Sequence, residues 1–401
     1  MSGSRIAITG LGIFCAAGRN VPEFSSALRK GHSGIGPVDL FDVSPFPSRI
    51  GAQVRNFNPR DYFSRKESVR YSRADQFAVI AAAEAMSQSG VMDSYGIFDL
   101  GVSVGAGAAG MLHAEQWLLA HMEGRQEHPA LLAGLLPDRT ATVLAQRFNL
   151  AGYQGSVTTA CSSSATAIGW GADMVATGQL KAALCGGTDA LSILTYAGFN
   201  ALRVVDPDPC APFSLGRKGI SLGEGAAFLV LERENEARRR GAAIHGYILG
   251  YAMVGEGHHM TAPEPTGADA ARVMGDALRS AGVSRTDIGW VNAHGTGTPL
   301  NDVVESKGVS QLFGDRAPDV PLISTKALTG HCLGAAGAIE ALATVVALGG
   351  GYIPGTLNFR GADPECPLDY CHDGTRKTAA TRALSNSFAF GGNITSLVLG
   401  R

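Results

Sequence analysis

Apolar and β-branched residues gather into ten short runs, each closed by glycine or polar turn residues, and each reads as a strand. Five fall early, at residues 5–13, 101–107, 156–160, 181–188 and 226–233. Five follow, at residues 244–254, 288–293, 321–325, 382–388 and 396–400. Helical patterns separate most of them. Residues 73–89 are Ala-rich and stop at Gly90, 162–177 stop at Gly178, and 268–281 stop at Gly282. Residues 337–348 run into three consecutive glycines. In each half, helices alternate with the first four strands, which predicts mainly parallel sheets covered on both faces. Five strands followed by five predict a duplicated α/β unit, although residue-level similarity between the halves is faint. The charged stretch 232–240 is the natural junction, giving halves 1–240 and 241–401. Between residues 110 and 155 the chain carries Trp117, Leu118, Leu119, Leu131, Leu132, Leu135 and Leu136. Such an excursion covers a pocket, builds a dimer interface or simply packs into the core.

Composition narrows the function classes. The 33 Lys and Arg nearly balance 35 Asp and Glu, for a net charge of −2, and no basic tract exists. That argues against a nucleic-acid binder held by phosphate contacts. Charged residues make up only 17% of the 401, which points to surface buried in a subunit interface. No apolar run is expected to reach bilayer length, and no leader pattern precedes the first strand. Seven cysteines without a C-x-x-C pair argue against a zinc cluster or a disulfide scaffold. The expectation is a soluble cytoplasmic protein with reduced thiols and no metal.

Three segments carry candidate chemistry. In T-A-C-S-S-S, Cys161 stands between a strand and a small-residue helix. Unpaired N–H groups at a helix N-terminus favour a thiolate, a recurring way to activate sulfur. The other six cysteines lack this setting. In N-A-H-G-T-G-T, His294 closes a strand before a tight loop. In S-T-K-A-L-T-G-H, Lys326 and His331 precede a G-A-A-G turn and a helix. Ligand sites in α/β proteins gather at the carboxyl ends of strands, where all three segments place their polar residues.

Taken together with S-N-S-F-A-F-G-G-N near the C-terminus, these motifs resemble the β-ketoacyl-acyl-carrier-protein synthases. These are the decarboxylating condensing enzymes of the thiolase superfamily. The resemblance runs from Arg5 to Leu399. It implies a thiolase-like duplicated fold, five-layer α-β-α-β-α with two mixed five-stranded sheets, normally dimeric. By the same resemblance, Cys161 accepts an acyl chain from a carrier-protein thioester. His294 and His331 then donate to the thioester carbonyl of a malonyl extender. Lys326 orients the surroundings of His331, with Glu340 as its partner. The backbone N–H groups of Cys161 and Phe390 form an oxyanion hole, with Phe390 also in the gate. Thr296 and Thr298 grip the pantetheine arm, which belongs to the acyl carrier protein, so no cofactor of the chain's own is implied. The second subunit is either an identical chain or a homologous chain-length subunit.

Some positions depart from the family pattern. Ala389 replaces the first glycine of a G-F-G-G loop and loses easy access to positive φ, so a stiffer gate is expected. Ala108 is small where fatty-acid relatives often carry a larger residue at the acyl pocket, and Lys218 and Ile220 alter the R-D-G-F-V-L-G-E-G stretch. These changes read either as drift or as a specialised polyketide or polyene ketosynthase. Arg65, Lys66, Arg70 and Arg73 form a basic cluster that would suit an acidic carrier protein or a solvated face. Other readings are a coenzyme A thiolase, a silent chain-length subunit and a cysteine hydrolase. The first lacks its second cysteine in the 385–393 loop. Cys161 opposes the second, and Lys326 with the second histidine opposes the third.

Overall fold

The structure is a computed structural model that describes residues 5–401, so the first four residues lie outside the description. Ten strands form the main sheet. In chain order they are β1 (Ile6–Cys15), β2 (Leu100–Gly105), β3 (Gln154–Val157), β4 (Ala182–Asp189) and β5 (Gly225–Arg233). The second set is β6 (Gly246–Gly255), β7 (Trp290–Asn292), β8 (Leu322–Ile323), β9 (Arg382–Phe388) and β10 (Asn393–Gly400). All ten expected runs therefore become strands, with ends shifted by a few residues.

Pairing reveals the duplication that residue identities hide. The first five strands lie in the order β1-β5-β4-β2-β3 and the second five in the order β6-β10-β9-β7-β8. Each position in one half has its counterpart five strands later. In both halves the two outer pairings are parallel, while β5 and β10 run antiparallel to both neighbours. The expectation of mainly parallel sheets thus holds only for the outer three strands of each half. The halves meet where β1 pairs with β6 over Ile6↔Ile248, Ala7↔Tyr247 and Ile8↔Gly246, which makes the two five-stranded units one continuous sheet.

Helices complete five layers. On the outside of the first half lie α1 (Arg73–Ser89) and α2 (Arg139–Phe148), whose Phe77, Ala81, Val143 and Leu144 pack on Val102, Val104 and Phe228. Between the two halves run α3 (Ser163–Thr177) and, from the second half, α6 (Ala336–Gly350). On the outer face of the second half lie α4 (Ala268–Ala281) and α5 (Pro299–Phe313), packed on Val291, Leu384 and Val398. The central pair is built from small residues. Ala165, Ala167, Gly169 and Gly171 of α3 and Ala336, Gly337 and Ala338 of α6 are all buried, so the helices fit between sheets without displacing them.

Residues 333–350 correct one expectation. They form a stretch long and apolar enough to cross a membrane by length and composition, yet they are mostly buried as the central helix and the turn before it. Burial on most sides explains the apolar composition. The excursion after β2 forms helix Met111–Met122, a 3₁₀ segment Pro129–Leu135 and α2. Leu118, Leu119, Met122, Leu135 and Leu136 stay exposed there.

Candidate active site

The chain leaves β3 through Thr158 and Thr159, makes a 3₁₀ turn at Ala160–Ser162 and enters α3. Ala160 takes φ +50°, a left-handed conformation that costs a non-glycine residue about 1–2 kcal/mol. Hydroxyls hold this elbow closed. Ser163 Oγ accepts from the Thr159 N–H at 2.9 Å and donates to the Ala160 carbonyl at 2.6 Å, while Ser162 Oγ donates to the Thr159 carbonyl at 2.9 Å. Ser164 Oγ accepts from the Ala338 N–H at 2.9 Å, tying α3 to α6. The serines after Cys161 therefore shape the turn that presents it.

His294 follows β7. Its backbone is fixed by Glu305 of α5, a buried carboxylate that accepts from the N–H groups of His294 and Gly295, each at 2.9 Å, and from Asn386 Nδ2 at 3.0 Å. His331 follows the short helix Lys326–Thr329, and its N–H donates to the Ser221 carbonyl at 2.7 Å. The two imidazoles meet edge to face with ring centroids 5.4 Å apart.

Partner atoms decide the tautomers. The Leu333 N–H donates to His331 Nδ1 at 3.1 Å, so the ring proton of a neutral His331 sits on Nε2. Lys326 Nζ lies 3.2 Å from His294 Nδ1 and donates to the His294 carbonyl at 2.6 Å, with Glu340 as its buried ion-pair partner. An ammonium only donates, so His294 Nδ1 accepts and its proton is also on Nε2. Burial, then the Lys326 charge, holds both histidines well below the ordinary imidazole range, and both are neutral near pH 7. Two Nε2–H donors result. Lys326 was expected to orient His331; its hydrogen bonds go to His294 instead, and it reaches His331 only through its charge. Burial pushes Glu340 up to about 7 against the pull of Lys326.

Cys161, His294 and His331 line one cavity of about 360 Å³. Burial pushes the Cys161 thiol up, to about 12, opposed by Lys326 and by the Phe390 N–H that hydrogen-bonds its sulfur. Desolvation thus works against the thiolate that the helix N-terminus was expected to favour. Thr296 and Thr298 line the same cavity with their hydroxyls 2.8 Å apart. Phe390 stacks on Phe199, centroids 5.9 Å apart, at the cavity wall. Ala389 lines the cavity without positive φ; Gly391 and Gly392 take that conformation, at +84° and +75°, so Ala389 adds no strain to the loop. Ala108 stands outside this lining, packed with Leu191, Tyr196, Phe199 and Leu333.

Of the basic cluster, Arg65, Lys66 and Arg70 are exposed. Arg73 is not available for docking: it bonds Glu224 through Nε at 2.9 Å and Nη2 at 2.6 Å in a nearly buried pair. Asp189, Glu224 and Glu305 are among the buried carboxylates that the motifs do not single out. Only their placement signals them, Asp189 ending a Gly-rich strand and Glu305 lying on the helix just after the His294 loop.

Comparison with known proteins gives one picture. The family model for the beta-ketoacyl synthase N-terminal domain matches residues 3–237, and that for the beta-ketoacyl synthase C-terminal domain matches residues 245–360. A 3-oxoacyl-[acyl-carrier-protein] synthase 2 from Synechocystis sp. is 36% identical, over 98% of this chain and 97% of that protein. Among solved structures, the ishigamide ketosynthase/chain length factor superposes with a TM-score of 0.94 at 34% identity, covering 100% of this chain and 99% of that one. A type II PKS ketosynthase solved with its acyl-carrier protein and bound to the hexaketide gives a TM-score of 0.91 at 29% identity, over 100% of both chains.

Proposed function

The chain belongs to the β-ketoacyl synthase family, and from that premise we propose that Cys161 carries the acyl chain while His294 and His331 drive decarboxylation of a malonyl extender. The observation that carries this reading is the pair of neutral Nε2–H donors beside a buried thiol in one cavity.

In the first half-reaction the Cys161 sulfur attacks the carbonyl carbon of an acyl thioester. The carbonyl oxygen gains charge in a hole formed by the N–H groups of Cys161 and Phe390. The C–S bond to the carrier's pantetheine breaks, and its thiol leaves with the proton given up by Cys161. In the second, the malonyl thioester carbonyl oxygen receives both Nε2–H donors. The bond from the α-carbon to the carboxylate breaks, its electron pair forms the enolate, and carbon dioxide leaves. Each preorganised donor contributes on the order of 3 kcal/mol to such a transition state. The α-carbon then attacks the acyl carbonyl, a carbon–carbon bond forms, the C–S bond to Cys161 breaks, and the sulfur leaves as a thiolate that takes a proton from water. Lys326 and Glu340 hold His294 in the donor tautomer, and Thr296 and Thr298 bind the pantetheine arm. The phosphopantetheine comes with the carrier protein, so no resident cofactor takes part.

The partner in this reading is an acyl carrier protein, whose acidic surface suits Arg65, Lys66 and Arg70. The exposed apolar face of helix Met111–Met122 and of Leu135 and Leu136 is the surface for a second subunit. That subunit is either an identical chain or a chain-length homologue, as in the relative solved with one. A polyketide product is in line with the type II PKS ketosynthase on which this chain superposes at 29% identity. Incubation with acyl- and malonyl-carrier protein tests the reaction: carbon dioxide and a ketoacyl product in equal amounts are expected. Release of free acid alone would defeat it.

A further inference from the structure

One buried carboxylate near the site has no part in the steps above. Asp189 ends β4 and is fully buried. Its Oδ2 accepts from the Gly107 N–H at 2.9 Å and the Gly334 N–H at 2.6 Å, while Oδ1 accepts from the N–H groups of Ala108, at 2.7 Å, and Ala109. Three of these donors belong to the loop after β2, and the fourth begins the approach to α6. The two backbones touch here, since a Cβ on Gly334 would stand 2.4 Å from the Gly107 nitrogen and 2.8 Å from Asp189 Oδ2. Gly334 directly follows Leu333, whose N–H sets the His331 tautomer. Asp189 also lies near enough to Cys161 for its charge to disfavour the thiolate. A negative group is a poor neighbour for a sulfur nucleophile, so its presence calls for another role.

We infer that Asp189 is a positioning residue that clamps the Ala108 loop to the His331 turn, holding the extender's donor in place. Both ends of the clamp are backbone N–H groups, so the contact depends on the Asp189 side chain alone. A displacement of the Ala108 loop would be felt at Gly334, and from there at the Leu333 N–H and His331. The inference rests on the decarboxylating role given to His331.

Asp189→Asn separates the two effects, because an amide oxygen keeps part of the acceptor set but removes the charge. Decarboxylation of malonyl-carrier protein should fall at least tenfold in kcat with KM little changed. Alkylation of Cys161 by iodoacetamide at pH 8 should in the same preparation become several-fold faster, because the repelling charge is gone. A merely structural lesion would lower both. Asp189→Glu, with the charge kept on a longer arm, should leave alkylation near the parent rate and lose about threefold in decarboxylation. It carries the test alone if the amide variant does not fold. Unchanged decarboxylation in the folded variants, or a parallel loss of both readouts, would overturn the inference. Failure of the parent itself to release carbon dioxide would instead overturn the functional reading on which it rests.

Discussion

The two halves each contain an elbow leading into a central helix, and the backbones correspond residue by residue. The first is a 3₁₀ turn at Ala160–Ser162 before α3, and the second is a 3₁₀ turn at Leu333–Ala335 before α6. Both open on a non-glycine residue in the left-handed region, Ala160 at φ +50° and Leu333 at +49°. Both helices span 15 residues and end on a left-handed glycine, Gly178 and Gly351. The chemistry has diverged within this shared frame. Where the first elbow presents Cys161, the second has Gly334, pressed against Gly107 and the Asp189 carboxylate. The second elbow instead uses the Leu333 N–H to fix His331 just before it. Duplication supplied two equivalent turns; one became the seat of covalent chemistry and the other a support for a hydrogen-bond donor.

The largest expected effect breaks the covalent elbow. Cys161→Ser leaves a hydroxyl with no dedicated base, since both histidines serve as donors, and acylation should fall by about 10³-fold or more. Cys161→Gln should abolish condensation yet still decarboxylate malonyl-carrier protein, because the second elbow and its histidine are untouched. Carbon dioxide release and ketoacyl formation, measured together, check both variants. Continued condensation by Cys161→Gln would place the nucleophile elsewhere.

Next in size is loss of a donor. His294→Ala or His331→Ala should slow decarboxylation about 10²-fold, from about 3 kcal/mol per donor, and slow acylation of Cys161 much less. The pH behaviour follows from the lowered imidazole values. Because folding favours the neutral form, the donors persist as pH falls through 6.5, and stability is lost below that value as the unfolded chain takes up protons. Spectra of ¹³C-labelled histidine should show two imidazoles, absent from the respective alanine variants, that remain neutral at pH 6. Ordinary titration of either would remove it from its assigned role.

Much of this was legible beforehand because it is carried by local pattern. Strand runs, glycine stops at Gly90, Gly178 and Gly282, and the three motifs at Cys161, His294 and His331 all depend on neighbours in sequence. What escaped depends on distant partners. Arg73 looks like a surface charge until Glu224, 151 residues away, is seen to pair with it. Asp189 looks like the end of a strand until Gly107 and Gly334 converge on it. The Lys326 contact was assigned to His331, five residues away, whereas the fold brings His294 to it across adjacent strands. The duplication itself hid because packing demands on α3 and α6 are met by small residues of many kinds, leaving shape alike and identity different.

Steric contrast between the elbows gives the next effect. Gly334→Ala would push a Cβ to 2.4 Å from the Gly107 nitrogen, backbone that cannot rotate away. Overpacking of this sort costs about 1–3 kcal/mol. Thermal unfolding should register it, and decarboxylation should fall with the His331 turn displaced. The matching position of the first elbow already carries the side chain of Cys161 with no such contact.

The smallest effect sharpens the comparison at the two left-handed residues. Relieving positive φ with glycine returns about 1 kcal/mol at either position, because the strain between Cβ and carbonyl disappears. Glycine's extra freedom in the unfolded chain removes about 0.5–1 kcal/mol of that. Ala160 gives up only a methyl group, so Ala160→Gly should leave stability within about 1 kcal/mol of the parent and acylation nearly unchanged. Leu333 is buried among Leu191, Tyr196 and Ile220, and deleting its side chain costs roughly 2–4 kcal/mol of packing. Leu333→Gly should therefore destabilise by about 2 kcal/mol despite relieving nearly the same dihedral. Denaturant unfolding of the two variants side by side decides the matter. Equal responses would mean that backbone strain alone governs both turns. Unequal responses, with the second elbow the weaker, would show that one half keeps its turn by hydroxyl hydrogen bonds and the other by side-chain burial.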